Sequence, residues 1–404
     1  MSTGVWPDRI RGALQQVVDE GRWRAPRSFD ARGPVGGLDG RPQVVSFASN
    51  DYLGLSAHPA VVQAAHEALD RWGAGAGASR LVTGSRPVHH ELEAALAEWK
   101  GTEAAVCFPT GFAANLGVLS TLGGPGVRVL SDELNHASII DGCRLSRSSL
   151  AVYGHRDLGH LEELLAAGRP EGAPALVVTD TVFSMDGDAA HLEELLPLCA
   201  RYEALVILDE AHAVLGPHLP AGAPDGGAPI VRVGTLSKTL GSLGGFVAAS
   251  RDVADLLVNR ARSYIFTTAP TPADAAAALA ALRVLRSDEG VALTSRLASF
   301  VARLVAAGLA PPGHPSPILP VVLGSEERAV AASTELLAQG LWVPAIRPPT
   351  VPVGTSRLRV TLSAAHEDDD VRRLTDALVA LGGPAPATAE TVTATAAASS
   401  PATP

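Results

Sequence analysis

Between about residues 89 and 235, short apolar runs alternate with stretches that read as helices. Runs such as Ala104–Phe108, 127–130, Ala175–Asp180, Leu205–Asp209 and Ile230–Thr235 have the length and apolar character of strands buried on both faces. The stretches 89–100, 158–167 and 191–202 lie between them. Strand and helix taking turns in this way predict an α/β fold, a mainly parallel sheet covered by helices on both sides. From about residue 275 the pattern changes. A helical region over roughly 271–308 leads to a strand at 318–323, a helix at 326–339, strands at 342–346 and 358–362, and a helix over about 366–382. This second part reads as a smaller α+β unit. At the other end, 8–24 reads as an amphipathic helix with several arginines, and 25–45, rich in Gly and Pro, as a connecting arm. The expected division is an N-terminal helix and arm at 1–48, a large domain at 49–275, a small domain at 276–382 and a tail at 383–404. The tail is low-complexity sequence of Pro, Ala, Thr, Ser, Gly, Glu and Val, which buries too little apolar surface to fold.

A chain of 404 residues suits two or three such units, and a hydrophobic fraction of 47% is ample for their cores. Aromatics are only 4%, so Ala, Val and Leu must fill most of that volume. A formal charge of -10 argues against a general nucleic-acid binder, whose surface must replace phosphate counterions. With no run of 18 apolar residues, no transmembrane helix is expected. The start, Met1 to Trp6, shows no basic region followed by an apolar stretch, so a cytoplasmic location is expected. Cys107, Cys143 and Cys199 are far apart and odd in number, which predicts buried, inert thiols and no disulfide framework or metal site.

Ligands of open α/β sheets sit at the carboxyl ends of the strands. Three polar groups fall there. Asp209-Glu210-Ala211-His212 follows the run Leu205 to Leu208. A carboxylate at the end of a buried strand needs a partner. A protonated pyridinium nitrogen is one, and a cap on the following helix is the plainer alternative. Gly234-Thr235-Leu236-Ser237-Lys238-Thr239-Leu240-Gly241 follows another apolar run. A lysine in a poorly hydrated pocket loses its proton readily and can form an imine, whereas a loop lysine in water does neither. Pro109-Thr110-Gly111-Phe112-Ala113-Ala114-Asn115 follows Phe108. Strand, glycine turn and helix start gather free backbone N–H groups of the kind that bind phosphate, although such turns are also common connectors.

Taken in order, a phosphate turn, a ring-nitrogen Asp and an imine Lys resemble the fold-type I pyridoxal-phosphate (PLP) transferases. More narrowly, residues 5–382 resemble the α-oxoamine synthases. The motifs are Asn50-Asp51-Tyr52-Leu53-Gly54-Leu55, Ser131 to Ser138, Val182-Phe183-Ser184-Met185-Asp186-Gly187-Asp188 and Ile346-Arg347-Pro348-Pro349-Thr350-Val351-Pro352. The last points to the 8-amino-7-oxononanoate-forming branch. The resemblance implies a seven-stranded large-domain sheet and a homodimer with a shared active site. It implies Lys238 as the Schiff-base lysine and acid/base, Asp209 on the ring nitrogen, His212 on the ring oxygen and His136 stacked on the ring. It also implies Ser184 near the ring oxygen, and Gly111, Phe112, Thr235 and Ser237 on the phosphate. Thr267 and Thr268 would reach the phosphate of the neighbouring subunit. Arg359 would bind the amino-acid carboxylate, with Arg24, Asn50, Asp180 and Thr350 near the substrates. Without that resemblance, His136 also reads as a capping or core histidine and Arg359 as an exposed strand arginine. The implied reaction joins L-alanine to a pimeloyl thioester, carried by coenzyme A or a carrier protein, in biotin synthesis.

The chain departs from the family pattern in places. Asp180 stands where some members carry Glu, Ala213 replaces a glycine, 216–229 is rich in Pro and Gly, and Thr239 follows the lysine. The rival reading is a sibling such as glycine C-acetyltransferase, using glycine and acetyl-CoA. A catalytically dead PLP-fold protein acting as a binding partner is another, and the intact Lys238, Asp209, His212, His136 and Arg359 argue against it.

Overall fold

The computed structural model describes residues 4–167, 172–219 and 227–382. The expected tail at 383–404 lies outside the described residues. The first helix, Val5–Asp19, ends earlier than the 8–24 window, and none of its residues is buried. The arm at 25–45 is more than a connector. It holds β1 (Phe29–Ala31), β2 (Val35–Leu38) and β3 (Arg41–Ser46), paired antiparallel. Leu38 pairs with Arg41 across Asp39-Gly40, and both loop residues have positive φ, 47° and 81°. Asp-Gly is a favoured two-residue hairpin loop because its left-handed backbone matches the twist of the strands.

The next seven strands form the central sheet. They are β4 (Ala104–Phe108), β5 (Arg128–Asp132), β6 (Ser149–Tyr153), β7 (Ala175–Asp180), β8 (Leu205–Asp209), β9 (Ile230–Thr235) and β10 (Gly245–Ala249). Their order is β4-β10-β9-β8-β7-β5-β6. The pairs β5–β6, β5–β7, β7–β8 and β8–β9 are parallel, and only β10 runs antiparallel to its neighbours. This is the mainly parallel sheet that the strand pattern predicts, with the seven strands that the family resemblance implies. Alternation along the strands fills two cores. Leu176, Val178 and Ile207 pack with Val118, Leu119 and Ile139 on one face. Val177, Val206 and Leu208 pack with Leu195 and Leu198 on the other. Cys107, Cys143 and Cys199 are free and buried, and burial pushes the Cys143 thiol up to about 11 and Cys199 to about 12.

The helical region expected at 271–308 is two helices, Pro272–Leu285 and Asp288–Ala306. Ser287 followed by Asp288-Glu289 is a helix-start signal, with acidic side chains against the positive end of the second helix. Beyond them lie β11 (Ile318–Gly324), β12 (Leu341–Trp342), β13 (Ala345–Ile346) and β14 (Ser356–Thr361). The single run expected at 342–346 is split by Val343-Pro344. Proline supplies no ladder N–H, so β13 joins the sheet β11-β14-β13 while β12 pairs in parallel with β3. Leu92, Leu282, Val321, Leu336, Val360 and Leu374 share one further core. Among the described residues, no helix is long and apolar enough to cross a membrane.

The carboxyl edge of the sheet is pinned by ion pairs. His155 Nδ1 lies 3.0 Å from Asp132 Oδ1 and its Nε2 lies 2.9 Å from Asp188 Oδ2, which Arg156 also holds at 2.8 Å. Burial opposes the charge on His155, but the two carboxylates win and raise its pKa to about 9. A raised pKa stabilises the fold below the unfolded value, near 6.5, and that stability disappears as pH rises through about 9. Chemical denaturation at pH 6 should therefore find His155→Gln less stable than the native chain by up to roughly 3 kcal/mol. At pH 10 the difference should largely vanish. A deficit that is the same at both pH values would contradict the assignment.

Candidate active site

Asp180, Asp209 and Thr235 are the last residues of β7, β8 and β9, so the sheet sets them side by side at its carboxyl edge. Asp180 and Asp209 are direct partners in the parallel register. Burial, and then the neighbouring Asp209 charge, push the Asp180 carboxyl well above the usual range. Asp180 Oδ2 accepts the backbone N–H of His136 at 2.8 Å. Asp209 uses both oxygens. Oδ1 accepts the Ala211 N–H at 2.9 Å, and Oδ2 accepts the Asn115 amide at 2.6 Å. No helix follows β8 among the described residues, so the capping alternative fails: a turn N–H holds one oxygen and a buried amide orients the other.

Lys238 reaches the same edge from the loop after β9. Its Nζ lies 2.8 Å from His212 Nε2. Burial pulls the lysine below its ordinary range, against the charges of Asp209 and Asp180 and with that of Arg359. His212 is buried, and burial, Lys238, Arg359 and His136 together hold it well below the ordinary imidazole range, so it is neutral. Its Nδ1 lies 2.5 Å from the hydroxyl of Tyr52, which is 0% exposed. His136 caps the helix Ala137–Ser146 through its Nδ1, as the plainer reading has it. Its ring also meets Phe112 edge-on at 6.4 Å, facing the open side of the site.

The helix Gly111–Leu122 starts here, capped by the Thr110 hydroxyl on the Ala113 N–H. Its first turn presents unpaired backbone N–H groups and the positive end of the helix dipole. Thr235 Oγ1 and Ser237 Oγ lie 2.7 Å apart beside it. A Cβ on Gly111 would come within 3.4 Å of Thr235 Cβ, so a side chain there would crowd this cradle.

Arg359 is buried in β14, unlike the exposed strand arginine that alternation alone allows. Its Nε donates to the Ser184 carbonyl at 2.6 Å, and its terminal nitrogens to Thr361 Oγ1 at 2.9 Å and Asn50 Oδ1 at 3.1 Å. None of these is a carboxylate, so among the described residues the cation has no ion-pair partner. Arg357, on the same face, pairs with Asp186 and is thereby taken out of the site. Lys238, His212, Tyr52, Asn50 and Arg359 thus form one connected cluster, with Asp209, His136 and the Gly111 turn around it.

Other residues singled out in the sequence lie apart. Arg24 donates to Thr350 Oγ1 at 3.4 Å, a pair between the N-terminal arm and the loop before β14. Neither bonds to the Lys238 cluster. Thr268 is exposed and Thr267 half-buried, and neither has a hydrogen bond to that cluster among the described residues. The buried ring of Lys100, Glu210 and Arg232 was not anticipated. Lys100 Nζ and Arg232 Nε each lie 2.7 Å from the Glu210 carboxylate and fix the residue that follows Asp209. Asn115 was legible as the lone amide in an otherwise apolar helix.

The family described as aminotransferase class I and II matches residues 42–378. The 8-amino-7-oxononanoate synthase of Methylobacterium sp. (strain 4-46) is 52% identical over 347 residues, 86% of this chain and 89% of its own length. That of Geobacter sulfurreducens (strain ATCC 51573 / DSM 12127 / PCA) is 47% identical over 383 residues, 92% of this chain and 97% of its own. Among solved structures, the serine palmitoyltransferase of Sphingomonas wittichii superposes with a TM-score of 0.84 at 32% identity, covering 93% of this chain and 98% of the other. The 8-amino-7-oxononanoate synthase of Francisella tularensis gives 0.66 at 27% identity, covering 83% and 96%.

Proposed function

The chain belongs to the class I and II aminotransferase family, in its 8-amino-7-oxononanoate synthase group, and from that membership we propose that it joins L-alanine to a pimeloyl thioester with PLP held at Lys238. The products are 8-amino-7-oxononanoate, CO2 and the free thiol. The observation that carries this reading is the donor set at the sheet edge. A lysine that burial disposes to lose its proton, an ionisable Asp with an oriented oxygen, a neutral His and an unpaired Arg converge there.

These residues fit PLP. The helix start at Gly111 and Phe112, with the hydroxyls of Thr235 and Ser237, suits a phosphate dianion. Asp209 suits a protonated pyridine nitrogen, His212 the ring oxygen, with Ser184 nearby, and His136 the ring face. When bound, PLP supplies an electron sink for negative charge at the amino-acid α-carbon. Lys238 holds and moves the proton at that carbon. Arg359 fixes the carboxylate that leaves as CO2, and Asn50 holds the guanidinium in place. Asp180 braces His136 through its backbone. Arg24 and Thr350 are positioned by their mutual contact to meet the acyl chain.

Arg359→Lys should raise the KM for alanine by about 10- to 100-fold. An ammonium cannot reproduce the fork geometry, and hydrogen bonds to charged groups contribute about 1.5–3 kcal/mol. Steady-state kinetics check this, and an unchanged alanine KM would contradict it.

The active protein is a homodimer in the cytoplasm. Phe266, 70% exposed beside Thr267 and Thr268, and the exposed Leu81 and Val82 offer apolar surface for a second copy, which would bring those threonines to its neighbour's phosphate site. Sedimentation should give twice the chain mass, and a monomer would remove the threonines from the account. Product mass tests the reaction. Alanine with pimeloyl-CoA, or with a pimeloyl carrier protein, should yield 8-amino-7-oxononanoate. Turnover confined to glycine with acetyl-CoA would move the chain to a sibling activity.

A further inference from the structure

Tyr52 lies outside every role assigned so far, yet its hydroxyl touches His212 and Asn50, and Asn50 holds the Arg359 guanidinium. Its ring is fully buried in the core that also holds Leu53, Leu55 and Leu240. Its oxygen lies 2.5 Å from His212 Nδ1 and 3.3 Å from Asn50 Oδ1, the oxygen that accepts from the Arg359 guanidinium. Burial holds the phenol protonated through the physiological range.

A hydroxyl has one proton to donate. Its two acceptors are Asn50 Oδ1 at 3.3 Å, a long contact, and His212 Nδ1 at 2.5 Å. When Lys238 carries the cofactor, its amine no longer donates to Nε2, and the Tyr52 proton points at the nearer acceptor, Nδ1. A neutral imidazole that accepts at Nδ1 carries its own proton at Nε2. Nε2 is the atom turned toward Lys238 and the site.

We propose that Tyr52 is a positioning residue that fixes His212 as the Nε2–H tautomer, so that His212 donates to the ring oxygen of the cofactor. This rests on the PLP reading above. The charged or titratable groups facing His212 are Lys238, Arg359 and His136, and none of them offers a donor to Nδ1 among the described residues. Tyr52 also contacts Asn50 Oδ1, which accepts from Arg359, so the group that grips the substrate carboxylate and the group that sets the ring oxygen are joined through Asn50 and one hydroxyl.

The test is the pH titration of the visible absorption band of the PLP-loaded protein, compared for native chain, Tyr52→Phe, His212→Asn and the double variant. A donor to an anionic ring oxygen makes that oxygen less basic. Its loss should raise the titration midpoint by about one pH unit, the size expected for one hydrogen bond to a charged group. Tyr52→Phe should shift upward, and it should add nothing in the His212→Asn background, because both remove the same donor. A native midpoint in Tyr52→Phe, or a shift that adds to that of His212→Asn, would overturn the proposal. Should Tyr52→Phe fail to fold, 15N-histidine spectra of the native holoenzyme decide, with the His212 signal assigned by its absence in His212→Asn. An unprotonated Nδ1 supports the proposal and a protonated one overturns it. A native protein that shows no cofactor band at all would overturn the PLP reading beneath it.

Discussion

Lys238→Ala should lower turnover by at least about 10⁴-fold while the protein stays folded. The lysine has two tasks, covalent attachment of the cofactor and movement of the α-proton. Among the described residues it is the amine at the carboxyl edge of the sheet beside Asp209 and His212. His212 cannot substitute as a base in the same place, because its Nε2 would hold the ring oxygen and its Nδ1 is committed to Tyr52. Alanine at 238 also relieves a burial cost, so the variant should unfold at a temperature no lower than the native chain. Turnover by product mass and thermal unfolding check the two halves. Near-native turnover would remove Lys238 from the mechanism.

Asp209→Asn should retain the cofactor but lower kcat by on the order of 10³-fold. Both carboxylate oxygens accept hydrogen bonds, from Ala211 N–H and from the Asn115 amide. A neutral amide has one acceptor, so it must lose one of those bonds and turn an N–H toward Asn115 or the backbone. More importantly, it cannot hold a pyridine nitrogen protonated, and the ring then withdraws electrons weakly. The phosphate cradle at Gly111 is formed by other elements, so bound cofactor should remain near one per chain. Full activity in Asp209→Asn would show that ring protonation does not depend on this residue.

Much of this architecture was legible because buried parallel strands carry a strong signal. The runs ending in Phe108, Asp180, Asp209 and Thr235 are mostly apolar and are strands with those ends. β6 and β10 were not legible. β6 is an edge strand with exposed Leu150 and Val152, and β10 is five small or apolar residues opening on glycine after a glycine-rich loop. The strands of the N-terminal arm were hidden behind Gly and Pro, although Asp39-Gly40 marked the hairpin. In the site, residues whose chemistry is local to one motif could be read directly, as with Asp209 and Lys238. The partners that make them work come from elsewhere in the chain. Asn115 to Asp209, Tyr52 to His212 and Asn50 to Arg359 are separated by 94, 160 and 309 positions, and no local pattern joins them.

The central claim is that Lys238 carries PLP. Reduction of the PLP-loaded protein with borohydride, followed by proteolysis and mass spectrometry, tests it directly. The account predicts one phosphopyridoxyl group per chain, on the peptide containing Lys238. The same group on Lys100, the other lysine of the chain, or on none, would contradict it.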